Sequence, residues 1–179
     1  MPWWPKRGGQ TGDGEPVAAH GDVGVRVELP TPRSPEPAEA VVASVEMTRL
    51  AAALDRLEIR YLTDGDGSLL AMWERHAVLF TLEGPDDEIL VIRARPHGTV
   101  PPDWADRAYR VVNEWNHTRR FSKAYVGDPL DSGHLPIYAE VQVPLIAGLH
   151  DQLLIELIDC AVSVSECFVE WLHDEGALF

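Results

Sequence analysis

Cysteine is scarce in this 179-residue chain, with only Cys160 and Cys167. Two are too few for a disulfide framework, and neither a CxxC nor a Cys/His metal spacing is formed, so a reduced, cytoplasmic setting is expected. Cations are scarce too: 15 Lys and Arg stand against 29 Asp and Glu, a net charge of −14. Such a balance argues against holding a phosphate backbone, so nucleic acid is not an expected partner. No apolar run approaches the roughly 20 residues of a membrane helix, and Met1-Pro-Trp-Trp-Pro-Lys-Arg leads into Gly and polar residues instead of a signal core. Neither membrane insertion nor secretion is therefore expected. GxGxxG, GxxxxGK, GxSxG and HExxH are all missing, which removes the common nucleotide, nucleophile and zinc signatures, and no cofactor is expected.

What the chain does have is uneven. Up to Pro37 it holds glycines 8, 9, 12, 14, 21 and 24 among prolines 2, 5, 16, 30, 32, 35 and 37. A segment of this kind buries too little apolar surface to offset its backbone entropy. The expected division is a disordered Pro/Gly-rich tail over residues 1–46 and a folded domain over 47–179. Within the tail, Val23-Gly-Val25-Arg-Val27-Glu-Leu29 alternates apolar and polar residues like a short strand that Pro30 stops. Trp3-Trp4 is read as an incidental feature of the end.

The remaining residues carry clear periods. Leu50, Leu54 and Leu57 with Ala51 and Ala53 predict a first helix, with Ser44 or Thr48 able to cap it. Ile59–Leu62 and Leu69–Trp73 flank the turn Asp64-Gly-Asp-Gly67 as a hairpin. His76–Leu82 and Ile89–Ala94, joined at Gly84-Pro85-Asp86-Asp87, complete a meander of four antiparallel strands. Pro101-Pro102-Asp103 opens a second helix that sets Trp104, Ala108, Val111, Val112 and Trp115 on one face, both tryptophans being expected to bury. Ala124–Val126 and Ile137–Val143 form the last strands, and Pro144 ends the sheet. Asp151–Trp171 is a long helix with a wide apolar arc and acids at 151, 156, 159, 166 and 170, without a single Lys or Arg. An arc this wide on a helix this acidic is expected to meet a second surface as well as the sheet. The fold class is α+β, an antiparallel sheet with helices packed on one face.

Few residues suggest chemistry. Asp64-Gly-Asp66-Gly-Ser68 has a faint likeness to a calcium loop, yet Arg75 stands where the twelve-residue geometry needs a bidentate Glu, so it is read as a turn and no metal is expected. The seven histidines show no i, i+4 pair. Cys160 and Cys167 lie two helical turns apart, too far for a mutual bond, and read as buried thiols. The densest cluster runs from Arg107 to Tyr125, with five cations against Glu114 alone. It is either a basic, aromatic patch for an acidic partner, or a set of dipole-complementing cations and capping asparagines where a helix turns into a strand.

Asn113-Glu-Trp-Asn116, Arg120-Phe-Ser-Lys-Ala-Tyr125, Tyr138-Ala-Glu140-Val-Gln-Val143 and the final Phe168-Val-Glu-Trp171-Leu172 together resemble the bacterial YbjN-domain family, over about Thr48 to Leu172. Phe121-Ser122 departs mildly from the family's aromatic and proline. The family consists of candidate sensory-transduction regulators, and the resemblance implies a fold like that of type III secretion chaperones, a tendency to dimerise and to bind protein segments, and no catalytic residues. The expected function is accordingly a non-enzymatic protein-binding module, a regulator or chaperone-like adaptor acting as a homodimer on a protein partner the sequence does not identify. Candidate partner-binding residues are Asn113, Trp115, Asn116, Arg119, Arg120, Lys123, Tyr125 and Glu140. Candidate dimer-interface residues are Leu157, Ala161, Val164 and Phe168. The alternative is a small-molecule binder or hydrolase using Glu114, Glu140 and His117 as acid/base groups, and a structural dimer half working with a paralogue is a third possibility.

Overall fold

The structure is a computed structural model and describes residues 41–179. The Val23–Leu29 segment, the two terminal tryptophans and most of the expected tail lie outside the described residues. Described residues before position 47 already pack on the domain. Ala43 and Leu149 exchange backbone hydrogen bonds of 3.2 and 3.0 Å, and Val45 is buried.

Helix α1 spans Met47–Arg56 with Glu46 at its N-cap, and neither Ser44 nor Thr48 caps it. Arg49 secures this end instead. Its guanidinium donates to the carbonyls of Ala43 and Leu149 at 2.8 and 2.9 Å and to the Asp151 carboxylate at 2.6 Å. One cation from the first turn thereby ties the incoming chain to the start of the last helix.

Six strands follow as one antiparallel sheet: β1 Tyr61–Thr63, β2 Leu69–Met72, β3 His76–Glu83, β4 Ile89–Pro96, β5 Lys123–Val126 and β6 Ile137–Pro144. The predicted meander is present, and β6 returns beside β4 so that β5 lies at the far edge, in the order β1-β2-β3-β4-β6-β5. In the β1–β2 turn, Asp64 and Asp66 accept from the backbone N–H groups of Gly65 and Ser68 at 2.7 and 2.9 Å, which makes these carboxylates turn-formers.

Register sorts the side chains by face. Ala71, Val78, Ala94, Ala139 and Ala124 stand in one row, and Leu69, Phe80, Ile92 and Val141 in the next, all buried. On them pack α2 (Ala105–Thr118), preceded by a 3-10 turn at Pro102–Trp104, and α3 (Asp151–His173). The helices lie on one face, as expected for α+β. Their aromatic centre is Trp115, whose ring meets Phe168 edge-on at 4.9 Å and Trp171 at 5.5 Å. Burying three such rings stabilises the domain by several kcal/mol, since truncating one buried aromatic costs about 3–5.

Two expectations fail for one reason, the phase of a side chain around its helix. Trp104 stays 42% exposed with the Arg107 guanidinium 5.0 Å from its ring, because the 3-10 turn takes it off the buried face of α2. Cys160 and Cys167 are exposed, standing on the outer side of α3 with Ser163. Ala161 and Phe168, expected at a dimer interface, lie in the core at 1% and 0% exposure. Leu157 and Val164 are half-buried.

Candidate functional site: the open face of the sheet

A strand with one face on a core turns alternate residues outward. Leu62, Leu70, Leu79, Arg93, Glu140 and Lys123 form one outward row across the whole sheet. Met72 and Ala77 begin the next row. No described helix covers these residues, and the aliphatic end is conspicuously bare, with Leu62 66% and Met72 56% exposed. A shallow groove of about 530 Å³ runs over it, lined by Leu70, Met72 and Leu79 and closed by Arg95, His97 and Tyr138. Arg95 is exposed and makes no ion pair among the described residues.

The other end of the face is a polar network built on Glu140. Arg93 donates to its carboxylate at 2.6 Å, Gln142 at 2.6 Å and the Tyr125 hydroxyl at 3.0 Å, while Glu83 lies 3.5 Å from Arg93. The rings of Tyr125 and Tyr138 stack at 5.3 Å. Burial by itself would raise the Glu140 carboxyl, but the hydrogen bonds from Arg93, Gln142 and Tyr125 outweigh it and hold the group below the ordinary value. Tyr125 is pushed up to about 12 by burial and by its bond to that carboxylate. A general base working near neutrality needs a pKa moved up toward the operating pH, whereas Glu140 moves the other way with its oxygens already engaged. The network fixes rotamers and presents a preorganised polar edge to whatever lies on the face.

The eight residues expected to bind a partner are thus divided among different places. Lys123, Tyr125 and Glu140 belong to the open face. Trp115 is buried and donates from Nε1 to Ser122 Oγ at 3.3 Å. Asn116 turns inward, its amide accepting from Ala124 N–H and donating to Ala124 C=O, both at 2.8 Å. Both residues face the protein interior and weld the end of α2 to β5. Asn113 is exposed on α2. Arg119 and Arg120 border a separate depression of about 470 Å³ against Trp171 and Glu175, with Arg119 4.0 Å from Glu175 and over the Trp115 ring at 5.7 Å. The Glu114, Glu140 and His117 set is not brought together: Glu140 is on the open face, whereas Glu114 and His117 are exposed on α2. Leu62, Leu70, Met72, Arg93, Arg95 and Tyr138 were not anticipated. In β2 all four residues from Leu69 to Met72 are apolar, so no apolar/polar alternation marks Leu70 and Met72 as outward, and only the strand register does.

Among the described residues, no group of three or more His, Cys, Asp or Glu could hold a metal ion, and no helix is long and apolar enough to cross a membrane.

Residues 47–174, which hold all six strands and all three helices, match the family model of the YbjN domain, described as "Putative bacterial sensory transduction regulator". The chain belongs to the YbjN family. Among solved structures, this YbjN chain is similar to YbjN from E. coli, whose title calls it "a putative transcription regulator". The TM-score is 0.63 at 13% identity, over 75% of this chain and 97% of that one, a likeness of fold. No curated protein matches the chain.

Proposed function

We propose that this YbjN-family chain is a non-enzymatic regulator that works by docking a protein partner on the open face of its sheet, as an adaptor or chaperone-like module does. The observation that carries this reading is the bare aliphatic strip of Leu62, Leu70, Met72 and Leu79 lying beside an ordered polar network. Exposed apolar surface rimmed by fixed polar groups is the usual composition of a binding patch. The occupant that fits is a protein segment with aliphatic side chains and a carboxylate to meet Arg95. Self-association through α3 fits poorly, since the acids Glu156, Asp159, Glu166 and Glu170 on its exposed side would face the same acids of a second copy. A homodimer would use another surface. The test is the paired substitution Leu62→Glu and Met72→Glu in the full chain. Both residues already face solvent, so folding is expected to be kept within about 0.5 kcal/mol, while capture of the partner from source lysate is lost.

A further inference from the structure

What the aliphatic strip lacks narrows the kind of segment it can receive. Strands β2 and β3 each lie between two neighbours, so their N–H and C=O groups are spent within the sheet, and Leu70, Met72 and Leu79 offer only hydrocarbon above it. An extended segment laid over the strip would bury its own backbone polar groups without partners. A helix satisfies its backbone internally, apart from the N–H groups of its first turn and the carbonyls of its last.

The groove meets those two open ends with opposite charges. Asp64, just past β1, lines one end and holds the Gly65 N–H with one of its oxygens. Arg93 and Arg95 line the β4 end. Arg93 is paired with Glu140 and Glu83, whereas Arg95 is exposed and has no ion pair among the described residues. The register places Asp64 and Arg95 three strands and four residues apart. That diagonal is about 20 Å at about 4.8 Å per strand and 3.4 Å per residue, the length of an α-helix of about 13 residues.

We propose that the occupant of the open face is an amphipathic helix of another protein, with its N-terminal end at Asp64 and its C-terminal end at Arg95. The inference rests on the reading that this face is the docking site. A helix on that diagonal crosses one strand roughly every four residues, which sets aliphatic side chains at i, i+4 and i+8 on the strip. Its macrodipole fixes the direction, the first-turn N–H groups facing the Asp64 carboxylate and the last-turn carbonyls facing the Arg95 guanidinium. A carboxylate in the last turn adds an ion pair with Arg95 that offsets its unfavourable place on the dipole. A second copy is a poorer occupant, because α1, α2 and α3 spend their apolar faces on their own core.

Selection from a phage-displayed library of random peptides of about 16 residues on the immobilised full chain tests this, with parallel selections on Leu62→Glu/Met72→Glu, Arg95→Glu and Asp64→Asn. All four substituted residues are exposed, and Asp64→Asn keeps an acceptor for the Gly65 N–H. The expected peptides carry aliphatic residues at i, i+4 and i+8 with an acid in the last turn, and gain helical circular dichroism on binding. They bind Leu62→Glu/Met72→Glu and Arg95→Glu about tenfold more weakly and Asp64→Asn about threefold more weakly, and selection on Arg95→Glu moves the last-turn preference to Lys or Arg. Peptides that are lost on Leu62→Glu/Met72→Glu but alternate with a period of two, or carry their acid in the first turn, would overturn the helix or its direction while leaving the docking face in place. Peptides held equally by Leu62→Glu/Met72→Glu, or no enrichment on the parent, would overturn the docking face and this inference with it.

Discussion

Replacing Asn116 with Ala separates a structural from a partner-facing role for the asparagine that ends the NEWN segment. Its amide makes two hydrogen bonds of 2.8 Å to Ala124, a residue only 5% exposed. A neutral bond contributes about 1 kcal/mol net, and each buried group left without a partner costs about 1–3. Because Ala124 lies on an edge strand, water reaches part of the vacated space, so the loss is set near the low end, about 2 kcal/mol in all. In a domain of this size that lowers the melting temperature by roughly 8 °C. Asn116→Asp keeps an acceptor for the Ala124 N–H but points a carboxylate at the Ala124 carbonyl, and recovers less than half of the loss. Urea unfolding followed by circular dichroism, with calorimetry for the melting temperature, measures both variants. If Asn116→Ala unfolds within 0.5 kcal/mol of the parent, or Asn116→Asp matches it, the clamp is not what holds β5 to α2.

The remaining predictions concern protons. Glu140→Gln is expected to destabilise by about 1–2 kcal/mol at pH 7, between the values for exposed and fully buried pairs, because Arg93 and Glu140 are 30% and 12% exposed. The depressed Glu140 pKa gives stability that is present above the ordinary carboxylate value and lost as pH falls through the folded one, so the variant should unfold with a shallower acid dependence; an unchanged slope argues against the network. Tyr125, with its folded value near 12, contributes stability present below the ordinary value of 10 and lost as pH rises through 12. Phenolate absorbance should show this step in the parent and not in Tyr125→Phe. His76 is buried against the Trp73 ring at 5.0 Å and is held low by that burial and by the nearby His97 charge. Its neutral form stabilises the fold above the ordinary histidine value of 6.5, an effect lost as pH falls through the folded value. A ring resonance titrating at or above 6.5 would refute this.

Periodicity in single elements was enough to read the architecture. The wide apolar arc of α3 marked it as the central helix, and the two Gly-Asp turns marked the meander. What failed was phase: Trp104 continues the helical pattern on paper but sits in a 3-10 turn, and Cys160 and Cys167, inside α3, fall just outside an arc too wide to have an obvious edge. The candidate site was half legible. Lys123 and Tyr125 drew attention as polar residues in a dense cluster and Glu140 as an acid on a nearby strand segment, yet Trp115 and Asn116 in the same cluster turn inward, because composition does not say which face of β5 meets α2. The aliphatic half escaped notice since a leucine on a strand reads as core until register shows that Leu62, Leu70 and Leu79 share the uncovered side. On α3 the wide arc drew attention to Ala161 and Phe168 as surface candidates, but the sheet and the other helices take up that part of it.

The central claim is that the open sheet face receives a protein partner. It is tested most directly by affinity capture with the full-length Leu62→Glu/Met72→Glu chain beside the parent and an Asn113→Ala control, after circular dichroism and melting have shown all three equally folded. The account predicts that the parent and the Asn113 control retain the same stoichiometric partner and that the double variant loses at least nine-tenths of it, about 1.4 kcal/mol or more in binding. Undiminished capture by the double variant would contradict the account and move the binding surface off the open face.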